Sequence, residues 1–330
     1  MKATKGVWMH LGLLGAATAV AFVTASAKHE PAEGKRVEAE LWPGPVEAVR
    51  QISYEAEDRK VSITTAKDAV GTYAVVEQTK DALKAPASDA GVSVSKPPEV
   101  KRFIGVDEVQ KLVELLAPAK SYRSLGKIDA QHLADYGLDK PESKLSITIG
   151  DKVRRLEVGA LTPGSGDYYV REPDAGLVHT FNADVIGRLK FADSRLLEHD
   201  MHGFHVEDLR SVEIQAAGKT RKLVRIEGKA DVWADAAKPN VADETVSNWL
   251  AKVQRLRPQT YVEKPAQVPA TALVRVDYRD KSGTAGFVEL YRLPEAQKKY
   301  LARSERTRWY VEVPATLAEP IETDLATVVK

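Results

Sequence analysis

Three of the seven histidines lie at three-residue intervals in the segment EHDMHGFHVED, at His199, His202 and His205. Imidazole suits zinc or copper, and Glu198 supplies a nearby carboxylate, so these histidines are the candidates for a metal site. Gly203 interrupts any helix that could align them on one face. The sequence therefore favours an exposed polar connection here, and we expect no bound metal and no other cofactor.

A second group of candidate residues lies in KKYLARSERTRWY, where Arg303, Arg306 and Arg308 alternate with apolar and aromatic residues. Such a surface could bind an anionic partner, such as lipid headgroups or an acidic envelope polymer. The same alternation is typical of the solvent-facing side of an ordinary strand. The sequence favours the second interpretation.

Motifs of catalysis are absent from the sequence. The chain has no cysteine and no G-x-S-x-G, H-E-x-x-H or G-x-G-x-x-G motif, so it predicts no serine hydrolase, zinc protease or dinucleotide site. The glycine-rich LTPGSGDYY lacks the lysine of a phosphate loop and leads into a strand. Lys and Arg number 48 against 47 acidic residues, which gives no bulk attraction to nucleic acid. We expect no catalytic residues, no enzyme activity and no nucleic-acid partner.

The first 27 residues have the pattern of an export segment. Lys2 and Lys5 precede an apolar run that reaches Ala25-Ser26-Ala27. Residues 7–27 have about the roughly 20-residue length that spans a bilayer, whereas A-x-A suits a signal peptidase. Residues 1–27 are thus a signal anchor or a signal peptide, and the anchor is favoured. The preceding lysines place the N-terminus in the bacterial cytoplasm and the bulk of the chain in the periplasm, as a single-pass inner-membrane protein.

An internal repeat follows a polar tether at residues 28–40. VRQISYEAEDRKVSITTAKDAVGTYAVV aligns with LRSVEIQAAGKTRKLVRIEGKADVWADA, and both alternate apolar and polar residues as strands do. Each copy continues into a helix with one apolar stripe, formed by Val109, Leu112, Val113 and Leu116 or by Val246, Trp249, Leu250 and Val253. The repeat predicts two modules, 41–200 and 201–330, the first with an irregular loop at 84–100.

The fold class follows from this order of elements. We expect an α+β protein of two tandem repeated modules, each an antiparallel sheet with an amphipathic helix packed on one face, preceded by one N-terminal transmembrane or signal helix. In DAQHLADYGLDKP, Asp129 is predicted to cap a short helix and Gly137 to end it in the left-handed conformation, with Leu138 contacting Leu133. Pro141 then prevents the helix from resuming.

Several of these motifs resemble the domain-of-unknown-function 4340 family. They are the Y-G-L-x-x-P element at Tyr136 to Pro141, the following L-x-I-x-I-G strand, R-L-E-V-G from Arg155 and Y-Y-V-R from Tyr168. The resemblance extends from about Leu41 to the C-terminus. It implies a membrane segment followed by one or two such modules, and association with ABC-type transporters. It implies no catalytic or binding residue. In the second copy EKPAQVPATALVRV replaces Y-G-L-x-x-P, so the helix stop should be missing there.

Two hypotheses of function lead, and an enzyme of undescribed type, with a site assembled only in three dimensions, is the third. The first is a non-catalytic, membrane-anchored, extracytoplasmic accessory or interaction protein that serves an ABC-type transporter or a cell-envelope assembly. The second is a periplasmic binding module for a small molecule or a glycan, with its pocket between the modules. The second hypothesis predicts a concave cleft lined by arginines and by Trp233, Trp249 or Trp309.

Overall fold

The computed structural model describes residues 39–81, 97–229, 231–294 and 298–329. The chain from Ala39 onward forms one compact unit. The predicted export segment and residues 28–38 of the tether lie outside the described residues, as do residues 84–96 of the predicted loop. Within the described ranges, no helix is long and apolar enough to cross a membrane.

Of the described residues, 43% are in strands and 22% in helices, which confirms the α+β class. The first eleven strands are β1 (Ala39–Trp42), β2 (Val49–Ala56), β3 (Arg59–Lys67), β4 (Thr72–Lys80), β5 (Glu99–Gly105), β6 (Ala119–Ser121), β7 (Arg123–Lys127), β8 (Ser143–Ile149), β9 (Lys152–Leu161), β10 (Tyr168–Glu172) and β11 (Leu177–Phe181). The remaining strands are β12 (Ser211–Ala216), β13 (Lys219–Arg225), β14 (Trp233–Asp235), β15 (Thr260–Val262), β16 (Val274–Arg279), β17 (Thr284–Arg292), β18 (Tyr300–Ser304) and β19 (Tyr310–Val313). The α-helices are α1 (Asp107–Leu116), α2 (Ala183–Lys190), α3 (Ala192–Arg195), α4 (Glu244–Val253) and α5 (Ala315–Val328).

Two large sheets organise these strands. The first sheet has nine strands in the order β5-β4-β3-β2-β8-β9-β10-β11-β7, and the second has eight in the order β14-β13-β12-β16-β17-β18-β19-β15. Every strand pairing in both sheets is antiparallel. A small third sheet pairs β1 with β6. It remains a prediction that the two large sheets are copies of one module.

Helix α1 buries the apolar stripe that the sequence predicted. Val109, Leu112, Val113 and Leu116 are all buried, whereas Leu115 on the other side is 37% exposed. The first sheet supplies fully buried partners from its central strands, including Ile52 and Ile63. Burial of such side chains contributes about 1.5–3 kcal/mol each, which explains why this stripe faces the core.

Helix α4 has the same arrangement in the second half of the chain. Its predicted stripe is buried, and Asp243 caps its first turn by accepting a hydrogen bond from the Val246 amide at 3.0 Å. Trp249 Nε1 donates to the Ile321 carbonyl of α5 at 3.0 Å. The sequence analysis did not predict α5, which contains Pro320 in its interior, a residue that ordinarily disrupts helices.

The predicted helix stop at Gly137 is confirmed. Gly137 has φ +65°, and the Leu138 amide donates to the Leu133 carbonyl at 2.9 Å, as the left-handed stop requires. A Cβ at this glycine would lie 2.8 Å from the Ala160 amide nitrogen, so the packing also demands glycine. The predicted cap is wrong: the Asp129 side chain makes no capping hydrogen bond, and the short helix, Ala130–Tyr136, is a 3-10 helix.

Two predicted boundaries shift in the structure. Strand β1 starts at Ala39, inside the predicted tether, and β5 starts at Glu99, inside the predicted loop. Strand β1 pairs with β6, about eighty residues away, at Ala39 opposite Ser121. Local composition does not encode such long-range pairing, which is why the polar residues before Leu41 read as a tether.

Candidate functional site

The three predicted histidines are not brought together. His199 and His205 are exposed, whereas the His202 side chain is only 10% exposed and its Nδ1 lies 3.0 Å from Glu305 Oε1. Its ring stacks on Phe204 at 4.6 Å and meets Tyr278 edge-on at 4.9 Å. Among the residues that the structure describes, no group of three or more His, Cys, Asp or Glu side chains could hold a metal ion. The segment is also not wholly an exposed connection, because His202 turns inward.

The three arginines of the predicted anionic-partner surface are all paired with carboxylates of the chain. Arg303, on strand β18, contacts Glu289 with a distance of 2.9 Å between its Nη2 and the Glu289 Oε2. Arg306 and Arg308 lie in the turn between β18 and β19, with side chains 12% and 11% exposed. The expectation of a solvent-facing strand is therefore wrong for these two, because the turn brings their guanidinium groups against carboxylates of the first half of the chain. Whether the arginines also bind an anionic partner stays a prediction.

Arg306 connects the second sheet to two segments of the first half of the chain. Its Nη2 lies 2.7 Å from Asp107 at the start of α1 and 2.7 Å from Glu198 after α3. The Glu198 side chain is 7% exposed, so the guanidinium balances a buried charge. The Tyr261 hydroxyl of β15 adds a hydrogen bond to the Glu198 carbonyl at 3.0 Å.

Arg308 and Arg102 complete the contacts between the sheets. Arg308 Nε lies 2.7 Å from Asp68 Oδ2, in the turn between β3 and β4. Arg102 of edge strand β5 pairs with Glu263 beside edge strand β15 and lies over the Trp309 ring at 5.5 Å. We call the pairs of Arg102, Arg306 and Arg308 with these carboxylates the junction.

Three polar atoms near the junction have no hydrogen-bond partner among the described residues: His202 Nε2, the Tyr278 hydroxyl and Arg306 Nε. Tyr278 is fully buried, and this burial raises the pKa of its hydroxyl far above the ordinary value. A phenol in this environment stays protonated at physiological pH. His202 does not hydrogen-bond to it among the described residues.

A cleft of about 330 Å³ lies between helix α1 and the β3–β4 hairpin. We call it the cleft and define it by its lining residues, which are Val46, Glu47, Val49, Arg50, Thr65, Ala66, Lys67, Thr72, Tyr73, Val106, Val109, Gln110 and Val113. Its wall on the helix side is apolar, and its rim carries charged and hydroxyl side chains. Volumes of this size are at the lower end of small-molecule sites.

The alternation of side chains along strands explains why the cleft is there. On β2 an irregularity between Val49 and Gln51 interrupts the alternation, so Val49 and Ile52 are both buried and exposed Arg50 lies between them. On β3, Thr65 and Lys67 have the same parity as buried Ile63. Thr65 and Lys67 thus lie on the core side of the sheet, beyond the part that α1 covers. Thr72 of β4 lies directly opposite Lys67 and is exposed.

The sequence analysis placed a cleft elsewhere and missed this one. The tryptophan-lined pocket expected between the modules is wrong for Trp233 and Trp249, which are each 1% exposed and belong to the core. Their burial follows from the position of α4, which packs on α5 through its apolar stripe and also contacts strand β14. A usable signal existed for part of the cleft, since Lys67 occupies a core-side position of an alternating strand.

Comparison with known proteins gives one match. The family model described as "Domain of unknown function (DUF4340)" matches residues 105–275, more than half of the chain. The chain therefore belongs to this family, as the turn and strand motifs predicted. The match begins in the first sheet and ends in the second, so it does not divide the chain into two copies. No curated protein matches the chain, and no solved structure does.

Proposed function

We propose that this chain is a non-catalytic accessory protein that acts by binding a protein partner. In this proposal, residues 7–27 hold it in the bacterial inner membrane, and the two sheets face the periplasm. The partners are subunits of an ABC-type transporter or of a cell-envelope assembly.

One observation carries the non-catalytic part of the proposal: the buried basic and acidic groups are engaged with one another. His202 pairs with Glu305 and His179 pairs with Glu172 at 2.9 Å, yet the second ring nitrogen of each has no partner among the described residues. A nucleophile activated by histidine needs a hydroxyl within hydrogen-bond reach of that nitrogen. The junction arginines likewise pair with carboxylates that hold the sheets together.

Affinity purification from native membranes tests the partnership. The full chain, tagged at its C-terminus and expressed at its natural level, is recovered from detergent-solubilised membranes, and co-purified proteins are quantified against an untagged strain. We expect permease and ATP-binding subunits of a transporter to be enriched. Recovery without any transporter or envelope-assembly subunit would contradict the proposal. A control chain whose residues 1–27 are replaced by a cleavable signal peptide should leave the membrane fraction.

The cleft favours a second candidate function, a periplasmic module that binds a small molecule. It combines an apolar wall, contributed by Val109 and Val113 among others, with the charged rim residues Arg50 and Lys67. That combination is typical of ligand pockets, in which a few polar groups orient a mostly apolar ligand. Ligand binding at the cleft is compatible with a partner bound elsewhere on the chain.

A further inference from the structure

We infer that the cleft binds a small amphiphilic anion, with one carboxylate or phosphate head on a short apolar chain. The inference deepens the second candidate function and rests on it. It is independent of the proposed membrane partner. Three features of the cleft support it: its size, its apolar wall and its cations without a carboxylate partner.

The size of the cleft limits the ligand. A volume of about 330 Å³ equals the liquid volume of roughly ten water molecules, at about 30 Å³ each. A head group with an aliphatic chain of about eight carbons has a comparable number of non-hydrogen atoms. Long polymers and diacyl lipids are too large to be enclosed.

The apolar wall fits the chain of such a ligand. Val49, Val109 and Val113 are each 3% exposed and form the floor, and half-buried Val46 lies beside them. The floor itself exposes little surface, so the apolar contribution comes mainly from the ligand's own aliphatic chain, at about 25 cal/mol per Å² of apolar surface removed from water. An ion without an apolar chain would not gain this contribution.

The cations at the rim of the cleft suit the anionic head group of such a ligand. Arg50 and Lys67 are exposed and, within the described part of the chain, have no carboxylate partner, in contrast to the three junction arginines. The nearest acidic neighbour of Lys67 in sequence, Asp68, is already bound to Arg308, whereas that of Arg50, Glu47, lines the cleft without an ion pair to it.

Hydroxyl donors lie close to these two cations. Thr65 lies two residues from Lys67 on the same side of β3, and its hydroxyl donates to the Val49 carbonyl at 2.6 Å beside Arg50. Glu47 is the one acid in the lining, so the lining charges sum to +1. Because the Thr65 hydroxyl already donates to Val49, an anionic head would accept from the Arg50 guanidinium, the Lys67 ammonium and the hydroxyl of Thr72, which lies opposite Lys67.

The test is a methyl NMR titration of the full chain, with its valines labelled and in nanodiscs of neutral phosphatidylcholine. The probes are octanoate, octyl phosphate, inorganic phosphate and octyltrimethylammonium. We expect saturable shifts of the valine methyls of the cleft with both octyl anions, at Kd values of about 0.1 to 1 mM, equivalent to roughly −4 to −5.5 kcal/mol. Inorganic phosphate and octyltrimethylammonium should bind at least about tenfold more weakly, a difference of about 1.4 kcal/mol.

Two pairs of variants make the test specific. R50Q/K67Q should weaken octanoate binding by about tenfold or more, because both charge-assisted contacts are lost, whereas K60Q/K144Q removes two exposed lysines of the opposite face and should leave it unchanged. T72W should block the cleft, whereas T64W places the same ring on the opposite face of β3 and should not. The preference between octanoate and octyl phosphate identifies the head group.

Equal binding of octyltrimethylammonium, or octanoate binding that survives R50Q/K67Q, would overturn the inference, as would the absence of saturable shifts with either octyl anion. Affinity purification with the T72W chain keeps this outcome separate from the membrane proposal. If the wild-type chain recovers a transporter subunit but shows no saturable shifts in the titration, the cleft ligand alone is refuted, and the T72W chain should still recover that subunit.

Discussion

Arg308 and Asp68, 240 residues apart in the sequence, form a two-point ion pair across the two sheets. Nε donates to Oδ2 at 2.7 Å and Nη2 donates to Oδ1 at 3.0 Å, while the guanidinium lies 4.2 Å from the Tyr73 ring centre. Planar two-point pairing is specific to arginine, since lysine presents a single ammonium. The pair therefore fixes both the distance and the orientation of the β18–β19 turn on the β3–β4 turn.

Replacing Arg308 should destabilise the chain measurably. The Arg308 side chain is 11% exposed, and R308Q would remove both its ion pair with Asp68 and its stacking on Tyr73. The substitution should therefore lower the free energy of unfolding by about 1–2 kcal/mol. Equilibrium urea denaturation measures this change. The control is R155Q, which removes a loose pair between exposed side chains at 3.9 Å and should cost less than about 0.5 kcal/mol. An equal loss of unfolding free energy in R308Q and R155Q would contradict the structural role of Arg308.

The same pair should make stability depend on acid pH. Hydrogen bonds from Arg308 hold the pKa of the Asp68 carboxyl below its ordinary value. A carboxyl with a lowered folded-state pKa contributes stability above its unfolded pKa of about 3.9, and this contribution is lost as the pH falls through the folded value. The stability difference between wild type and D68N should be constant from pH 6 to 8 and should shrink below about pH 4. A difference that widens in acid would refute this linkage.

Replacing Arg306 should destabilise the chain more than replacing Arg303. R306M would leave the Glu198 carboxylate, 7% exposed, without its guanidinium, which typically costs about 3–5 kcal/mol. R303M leaves Glu289 paired with Arg275 at 2.6 Å and should cost less. Urea denaturation compares the two, and E198Q should restore part of the loss in R306M. If R303M is as damaging as R306M, the buried charge is not the cause.

The helix stripe gives a test of packing. L112A removes a fully buried side chain of α1 and should cost about 2–5 kcal/mol. L115A, on the same helix but 37% exposed, should cost less than about 1 kcal/mol. Thermal and urea unfolding of both variants measure the difference. Similar losses would mean that α1 does not pack on the first sheet through its predicted stripe.

Local patterns in the sequence predict local structure well here. The apolar stripes of α1 and α4 and the left-handed stop at Gly137 depend on residues within about ten positions of one another, and the structure has them as expected. The pairing of β1 with β6 and the pair of Arg308 with Asp68 depend on distant residues. A single sequence carries no signal for such partners, so the junction could not be predicted.

The cleft could be predicted from the sequence only in part. Arg50 and Lys67 looked like ordinary surface residues, yet Lys67 continues the core-side alternation of β3, and Arg50 lies at the irregularity of β2 beside buried Val49. The sequence shows that parity, but it does not show where α1 ends on the sheet, and only that position makes the two residues line a cleft. His202 is similar, because its inward turn depends on Glu305, about a hundred residues away.

Cross-linking of native membranes followed by mass spectrometry tests the central claim most directly. The account predicts that the chain retains its N-terminus and that lysines of its sheets are cross-linked to subunits of a transporter or envelope assembly. A soluble form that begins at about Lys28 and has no cross-link to any membrane protein would contradict the accessory function. Ligand binding at the cleft would then be the remaining account of the protein.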